Sequence, residues 1–207
     1  MDPRALAGRL EAIEGRLAGT DAERRAAALC AAELRGSGRR PRTRTLWFRP
    51  QRHASRAAYA ALGIAGSVVA VGNATLGLAL AAGALLATLL EATGVPVLAL
   101  LQSRRATQNV VALAPADRGA RALLVLSASA DAPRDSLLHR LDRRVGSRAL
   151  PAAPGLLVLG LAGVAACAGA RLAGAEGGAV SIPQVVPSAI LILLLGGFVD
   201  AALSTAA

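Results

Sequence analysis

Long apolar stretches alternate with polar segments along this chain. Residues 57–101 contain one ionisable side chain, Glu91, apart from Tyr59, and a second apolar stretch runs through residues 152–203. A helix crosses the hydrocarbon core of a bilayer with about 20 residues, so each stretch is long enough for two spans. The pattern therefore predicts two transmembrane helical hairpins, at 55–101 and 151–204, and two polar segments, at 1–54 and 102–150.

Turn and breaker residues divide each predicted hairpin. Gly72-Asn73 is a turn dipeptide, and Gly94-Val-Pro96 interrupts the arm that follows it. The alternative is a pair of buried helical hairpins in a soluble protein, but a domain of 207 residues could hardly bury both. The predicted spans are 55–72, 75–101, 152–170 and about 185–203, with Arg171–Pro183 as a short outer connection.

Helical periodicity and capping residues predict two helices in segment 1–54. The first begins at Asp2-Pro3 and ends at Gly19. Thr20 and Glu23 form a capping box, in which each side chain satisfies a free backbone N–H group, and the second helix continues to Gly36. The alternation in residues 42–49 (RTRTLWFR) then predicts a strand.

Segment 102–150 predicts further strands and a short helix. Thr107–Leu113 and Arg121–Ser127 read as strands separated by a turn, which favours a β-hairpin, and Asp135–Arg144 is an amphipathic helix. The expected fold class is an α/β fragment with two N-terminal helices and about three strands, interrupted by the two transmembrane hairpins and mostly α. The last strand should expose an unpaired edge, which invites pairing with another protein chain.

The positions of the basic residues indicate which partners to expect. All 23 basic residues are arginine, and they lie in two blocks, 13 within residues 1–56 and 9 within 102–150; only Arg171 lies elsewhere. Nucleic-acid binders usually carry aromatics beside a basic face, and only 2% of this chain is aromatic, so nucleic acid is not an expected partner. The blocks instead follow the positive-inside rule. They predict a multi-pass protein of the cytoplasmic membrane with both termini in the cytoplasm.

Three segments together resemble a known family. They are Gly19-Thr-Asp-Ala-Glu-Arg24, the strand Thr107-Gln-Asn-Val-Val-Ala112, and the end of the next strand, Ala128-Ser-Ala-Asp131. Their order resembles the first half of the di-zinc aminopeptidases, the family of aminopeptidase Y and the transferrin-receptor-type peptidases. More specifically, the chain resembles bacterial members in which helical hairpins interrupt the α/β domain. The diagnostic residues number only about 30, although the resemblance extends over nearly the whole chain.

The resemblance implies a zinc ligand that this sequence lacks. In the family, the second strand ends in Ala-His-Tyr-Asp, where the histidine binds zinc and the aspartate orients it. Here Ser129 and Ala130 replace the histidine and tyrosine, and only Asp131 is kept. A serine hydroxyl is a poor zinc ligand. The family's later bridging aspartate, Glu-Glu pair, Asp and His are also not recognisable, and at least the later members would follow residue 207. No metal ligand, catalytic residue or cofactor is therefore expected in this chain.

Other polar residues are weaker candidates for a site. His53 and His139 match no family ligand position, and Asp131 with Asp135 is more simply a loop pair than catalytic carboxylates. Glu91 lies near Gly94, where a predicted span is interrupted. An ionisable residue there is either a functional residue within the membrane or a residue at the membrane interface. Asp200 could hold the bridging position, as part of the segment Val199–Ser204, but Ala201 follows where the family has asparagine. Two cysteines, Cys30 and Cys167, form no expected disulfide or zinc site.

These observations predict a membrane relative of the zinc aminopeptidases that is truncated, lacks the metal ligands and has no catalytic activity. Two alternatives stay open. In the first, another chain completes a split zinc peptidase. In the second, the chain is a non-enzymatic membrane scaffold.

Overall fold

The computed structural model describes residues 3–113, 125–129, 131, 136–144, 146 and 149–204. It is mostly α, as the sequence predicts, with helices and one two-stranded sheet among the described residues. The chain divides into two compact units. The first, called the α/β unit here, contains α1 (Pro3–Glu11), α2 (Asp21–Gly36), β1 (Arg40–Phe48) and β2 (Arg105–Leu113).

The first helix is shorter than its periodicity predicts. The predicted helix extends to Gly19, whereas α1 ends at Glu11. Gly15, four residues beyond that end, has φ of 71°, in the left-handed region, so an α-helix cannot continue through it to Gly19. The second helix, α2, is confirmed, because it begins after Thr20 and ends at Gly36.

The sheet joins strands on either side of the first apolar stretch. β1 and β2 pair antiparallel, with Leu46 opposite Thr107 and Trp47 opposite Ala106. The expected hairpin between β2 and the following strand is not seen in the described part of that strand, since residues 125–129 adopt no regular structure. Residues 121–124, the 114–119 turn and Asp135 lie outside the described residues. On the side of β2 that faces β1, pairing is already complete, because β1 supplies a full register of nine partners.

The second unit, called the helical unit here, contains the remaining helices. They are α3 (Arg52–Val69), α4 (Ala74–Ala92), a short 3₁₀ helix (Leu98–Leu101), α5 (Leu137–Arg144), α6 (Ala149–Leu172) and α7 (Gly178–Leu203). The turn at Gly72-Asn73 is confirmed: the Asn73 side chain accepts a hydrogen bond from the Leu76 N–H at 3.0 Å and so caps α4. The break near Gly94 is also confirmed, because α4 ends at Ala92.

Small residues let the helices of this unit approach closely. A Cβ atom added to Gly77 of α4 would lie 2.5 Å from the Cα of Ala70, just after α3. Between α6 and α7, a Cβ on Gly163 would lie 2.8 Å from the Cβ of Pro187. Helices in membranes commonly pack through such small residues, because lipid provides no hydrophobic force that drives the helices together.

The outer connection of the second hairpin is shorter than expected. α6 continues to Leu172 and α7 begins at Gly178, so the connection is residues 173–177 rather than Arg171–Pro183. Pro183 and Pro187 both lie inside α7. Proline removes a backbone N–H but is tolerated in membrane helices when neighbouring helices and side chains satisfy the freed groups.

Three helices of the helical unit are long and apolar enough to cross a membrane: Ala74–Ala92, Pro151–Leu172 and Gly178–Leu203. Large aliphatic side chains stay exposed along them, for example Leu159 at 65%, Ile182 at 73% and Leu193 at 77%. Exposed apolar surface on this scale is typical of lipid contact. The three helices indicate a membrane protein. The fourth predicted span, in α3, begins with polar residues and does not qualify, so its crossing of a membrane stays a prediction.

Candidate functional site

The N-terminus of α2 contains the predicted cap by Thr20, but the Thr20 N–H donates to the Leu17 carbonyl and not to Glu23 as a capping box requires. The Thr20 hydroxyl oxygen accepts a hydrogen bond from the Glu23 N–H at 3.3 Å. The Glu23 carboxylate returns to accept a hydrogen bond from the Gly19 N–H, one residue before the cap. Gly19 has φ of 80°, so a residue without Cβ is favoured there. The segment Gly19–Arg24, singled out in the sequence, is thus a helix start.

The same carboxylate contacts the other segment on which the resemblance depends. Glu23 is buried, with 4% of its surface exposed, and it accepts a hydrogen bond from the Thr107 hydroxyl of β2. The Gln108 N–H lies 3.5 Å from the same oxygen. A buried carboxylate is costly unless donors surround it. Glu23 therefore fixes the start of α2 to β2, which is a structural role.

Ser129 and Asp131 contact each other. The Ser129 hydroxyl donates a hydrogen bond to the Asp131 carboxylate, and both side chains are exposed. In the family, the aspartate at the position of Asp131 would accept a hydrogen bond from the imidazole of the zinc ligand and so orient it. If these residues hold the positions that the resemblance implies, Asp131 instead accepts a hydrogen bond from the Ser129 hydroxyl.

These residues do not fit a zinc ion. A catalytic zinc needs about three nitrogen, sulfur or carboxylate ligands from the protein, and this pair offers one carboxylate and a hydroxyl. Across the ranges that the structure describes, no group of three or more His, Cys, Asp or Glu side chains could hold a metal ion.

The two histidines belong to the helical unit. His139 of α5 interacts with Ser136, whose hydroxyl lies 2.9 Å from its Nδ1. His53 lies in α3, and its ring centroid is 6.2 Å from that of Phe198 of α7. Arg56 places its guanidinium 6.0 Å from the same phenyl ring, which permits a cation–π contact. Both histidines are thus engaged by neighbours within this unit.

Glu91 and Tyr59 form a small polar centre beside the 3₁₀ helix. The Tyr59 hydroxyl donates to Glu91 at 2.9 Å and accepts from the Leu98 N–H at 3.2 Å. The same oxygen of Glu91 accepts from the Ala99 N–H at 3.2 Å. These contacts satisfy backbone donors at the start of a short helix. They favour the interfacial, structural interpretation of Glu91 over a catalytic one.

Asp200, near the end of α7, contacts the start of α5. Its carboxylate accepts a hydrogen bond from the Leu137 N–H at 2.6 Å and so holds the first turn of α5. Carboxylates are favourable at this position because the helix N-terminus carries partial positive charge. Asp200 therefore has a positioning role in the helical unit.

A polar network that the sequence pattern did not predict joins α3, α6 and α7. Gln184 of α7 is buried, and its amide donates to the backbone oxygen and the hydroxyl of Ser67 in α3, both at 2.7 Å. Its carbonyl accepts from Arg171 of α6 at 3.0 Å, and the Ser67 and Ser188 hydroxyls lie 2.7 Å apart. The available signals were the isolated position of Arg171 and the spacing of four between Gln184 and Ser188, which places both on one side of α7.

The two cysteines are free and partly buried, Cys30 in α2 and Cys167 in α6. Comparison of the chain with protein-family models, with curated proteins and with solved structures gives no match. The resemblance to the di-zinc aminopeptidases therefore stays a prediction. What the geometry establishes is a set of polar contacts that hold each unit together.

Proposed function

We propose that this chain is a multi-pass membrane protein without peptidase activity, a relative of the di-zinc aminopeptidases that has lost its metal site. The observation that carries the proposal is the contact between Ser129 and Asp131. A serine hydroxyl cannot replace an imidazole as a zinc ligand of useful affinity. The contact between Glu23 and Thr107 supports the relationship, because it joins the two other segments that resemble the family.

Zinc content tests this proposal. The full chain is purified in detergent, and zinc is measured by mass spectrometry together with hydrolysis of an aminoacyl reporter substrate. We expect clearly less than stoichiometric zinc and no hydrolysis. About one zinc or more per native chain, with hydrolysis that a chelator abolishes, would overturn the proposal.

A Ser129→His variant shows whether the position once held a ligand. Restoring one imidazole next to Asp131 supplies two candidate side chains, which is fewer than a catalytic zinc site needs. We therefore expect the variant also to lack stoichiometric zinc. Asp131→Ala in the same background is the matched control: weak zinc binding that requires both the introduced imidazole and Asp131 would support the lost site, whereas binding that ignores Asp131 would argue against it.

The arginine blocks support a proposal about the orientation in the membrane. We propose that both termini and both polar segments lie in the cytoplasm, because arginine is enriched on that side of a membrane. Glu176→Cys, in a chain whose native cysteines are replaced, should react with an impermeant maleimide added to intact cells, since Glu176 is exposed in the connection between α6 and α7. Arg39→Cys, at an exposed position of the α/β unit, should react only after lysis. The reverse labelling pattern would contradict the orientation.

A second candidate is one half of a split zinc peptidase. The observation in its favour is the small sheet, in which Trp47 and Leu113 are 67% and 72% exposed. A strand from another chain could cover them and extend the sheet. The test is whether a complex isolated in mild detergent contains stoichiometric zinc and hydrolyses the reporter while the separated chain does neither. A complex without zinc favours the scaffold alternative.

A further inference from the structure

The short helix α5 is held against the end of the helical unit. Leu138 packs on α7, since a Cβ added to Gly197 would lie 3.2 Å from its side chain. Asp200 accepts the hydrogen bond from the Leu137 N–H, and Ser136, which is 1% exposed, caps the same turn. The contact at Gly197 is about 9 Å along the helix axis from the C-terminal end of α7.

The exposed side of α5 has the composition of a membrane-surface helix. Leu137 and Leu141 are 60% and 50% exposed although both are apolar. They are four residues apart and so lie on one side of the helix. On a helical projection this pair lies between Leu138, which faces α7, and the arginines at 140 and 144.

The charge of α5 is complementary to an anionic surface. Arg140, Arg143 and Arg144 are all exposed, and the one acidic residue of the helix is Asp142. Arginine binds phosphate with two parallel hydrogen bonds, and its long stem allows the charge to reach the headgroups while the leucines stay in the acyl region. Interfacial helices bury their apolar side about 5–10 Å into this boundary.

We propose that α5 is an interfacial helix that binds the phosphate groups of anionic phospholipids, with Leu137 and Leu141 inserted among the acyl chains. The occupant of its exposed side is thus the bilayer in which the protein resides. The inference rests on the proposed membrane insertion of the helical unit. Asp200 and Leu138 position the helix, because they fix its first turn to α7.

The experiment compares two bilayers. The full chain is reconstituted into nanodiscs of phosphatidylcholine alone or of phosphatidylcholine with phosphatidylglycerol. An environment-sensitive dye is attached to Leu141→Cys in a chain whose native cysteines are replaced. We expect the dye to report an apolar surrounding, and native mass spectrometry to show retained phosphatidylglycerol. Failure of the chain to enter nanodiscs at all would contradict membrane insertion itself, and is separate from any result on lipid preference.

The decisive variant removes the positive charge. Each basic residue near an anionic surface strengthens binding about fivefold, so the triple Arg→Gln variant at 140, 143 and 144 should retain phosphatidylglycerol up to roughly 100-fold less at low salt. The matched control is Arg→Gln at 25, 35 and 39, three exposed arginines of the α/β unit, which removes the same charge.

Three results would overturn the inference. The first is equal retention of phosphatidylglycerol by the triple variant and its control. The second is a dye at position 141 that reports water in both bilayers. The third is a dye that is shielded only when a protein partner with an acidic surface co-purifies, which would assign this side of α5 to a protein instead of lipid. Loss of retention in the triple variant alone, reversed by high salt in the native chain, supports it.

Discussion

The carboxylate of Glu23 accepts a hydrogen bond from the hydroxyl of Thr107, 84 residues further along the chain. Glu23 is at the same time part of the cap that starts α2. One side chain thus satisfies donors at a helix end and fixes that helix to a strand. The residues between the two partners include the whole first apolar hairpin, so this contact also holds together the two parts of the α/β unit that the hairpin separates in sequence.

Replacing Thr107 with Val should loosen the α/β unit. The change removes one donor from a carboxylate that stays buried, and an unsatisfied buried group of this kind costs about 1–3 kcal/mol. We expect the amides of β2 to exchange hydrogen roughly 5- to 150-fold faster in the full chain, as measured by mass spectrometry. The matched control is Glu14→Gln, which changes an exposed carboxyl in the same unit and should leave exchange in β2 unaltered. Equal rates in Thr107→Val and the native chain would contradict a stabilising role.

Gly77→Ala should destabilise the α3–α4 hairpin. The added Cβ would lie 2.5 Å from the Cα and Cβ atoms of Ala70, so the two helices must move apart. Overpacking of this kind costs about 1–3 kcal/mol. The measurement is the unfolding midpoint in mixed detergent micelles with increasing dodecyl sulfate. Gly83→Ala, in the same helix, meets no atom within 4 Å and should be neutral or slightly stabilising. Identical midpoints for the two variants would show that the close approach at Gly77 is not required.

Gln184→Leu should weaken the contact of α7 with α3 and α6. Gln184 is buried, and the change removes two hydrogen bonds to Ser67 and one from Arg171. Hydrogen bonds between membrane helices contribute about 0.6–2 kcal/mol each, so the loss should be readily seen in the same micelle titration. Ser181→Ala is the control, because it removes only an exposed contact of Arg171 at 3.2 Å. A Gln184→Leu variant as stable as this control would show that the network contributes little.

The pKa of Asp21 should depend on Arg24. The Arg24 side chain lowers the pKa of Asp21 below 3.8, first through its hydrogen bond and then through its charge. Because the folded-state pKa is lowered, the ionised carboxylate stabilises the folded state above the ordinary pKa, and this stabilisation is lost as pH falls through the folded-state value. Arg24→Gln should raise the pKa of Asp21, measured by carbon NMR of labelled aspartate. Arg25→Gln should raise the pKa of Asp21 less, since the charge of Arg25 lowers that pKa less than Arg24 does. A larger rise in Arg25→Gln than in Arg24→Gln would contradict the dominant role of Arg24.

Local chemistry explains what could be predicted from the sequence. Thr20 with Glu23 and Asn73 mark helix starts that the structure contains, because a cap satisfies backbone groups only a few residues away. The long apolar helices were also predictable, since crossing a bilayer depends on length and hydropathy along one segment. The first helix was predicted too long because its leucine spacing continues to Leu17, whereas α1 ends at Glu11 and the left-handed glycine at position 15 prevents a continuous helix to Gly19.

Only the tertiary structure shows which strands pair and which distant polar residues contact each other. The sequence placed strands near 42–49 and 107–113, but pairing them across the apolar hairpin depends on contacts between distant residues, which periodicity does not encode. The same holds for Gln184 between Ser67 and Arg171, and for Asp200 at the start of α5. The sequence by itself therefore determined where α2 and α4 begin and which segments are apolar enough for a membrane. Only the fold decided which buried polar groups meet, because each needs a partner that packing brings from elsewhere in the chain.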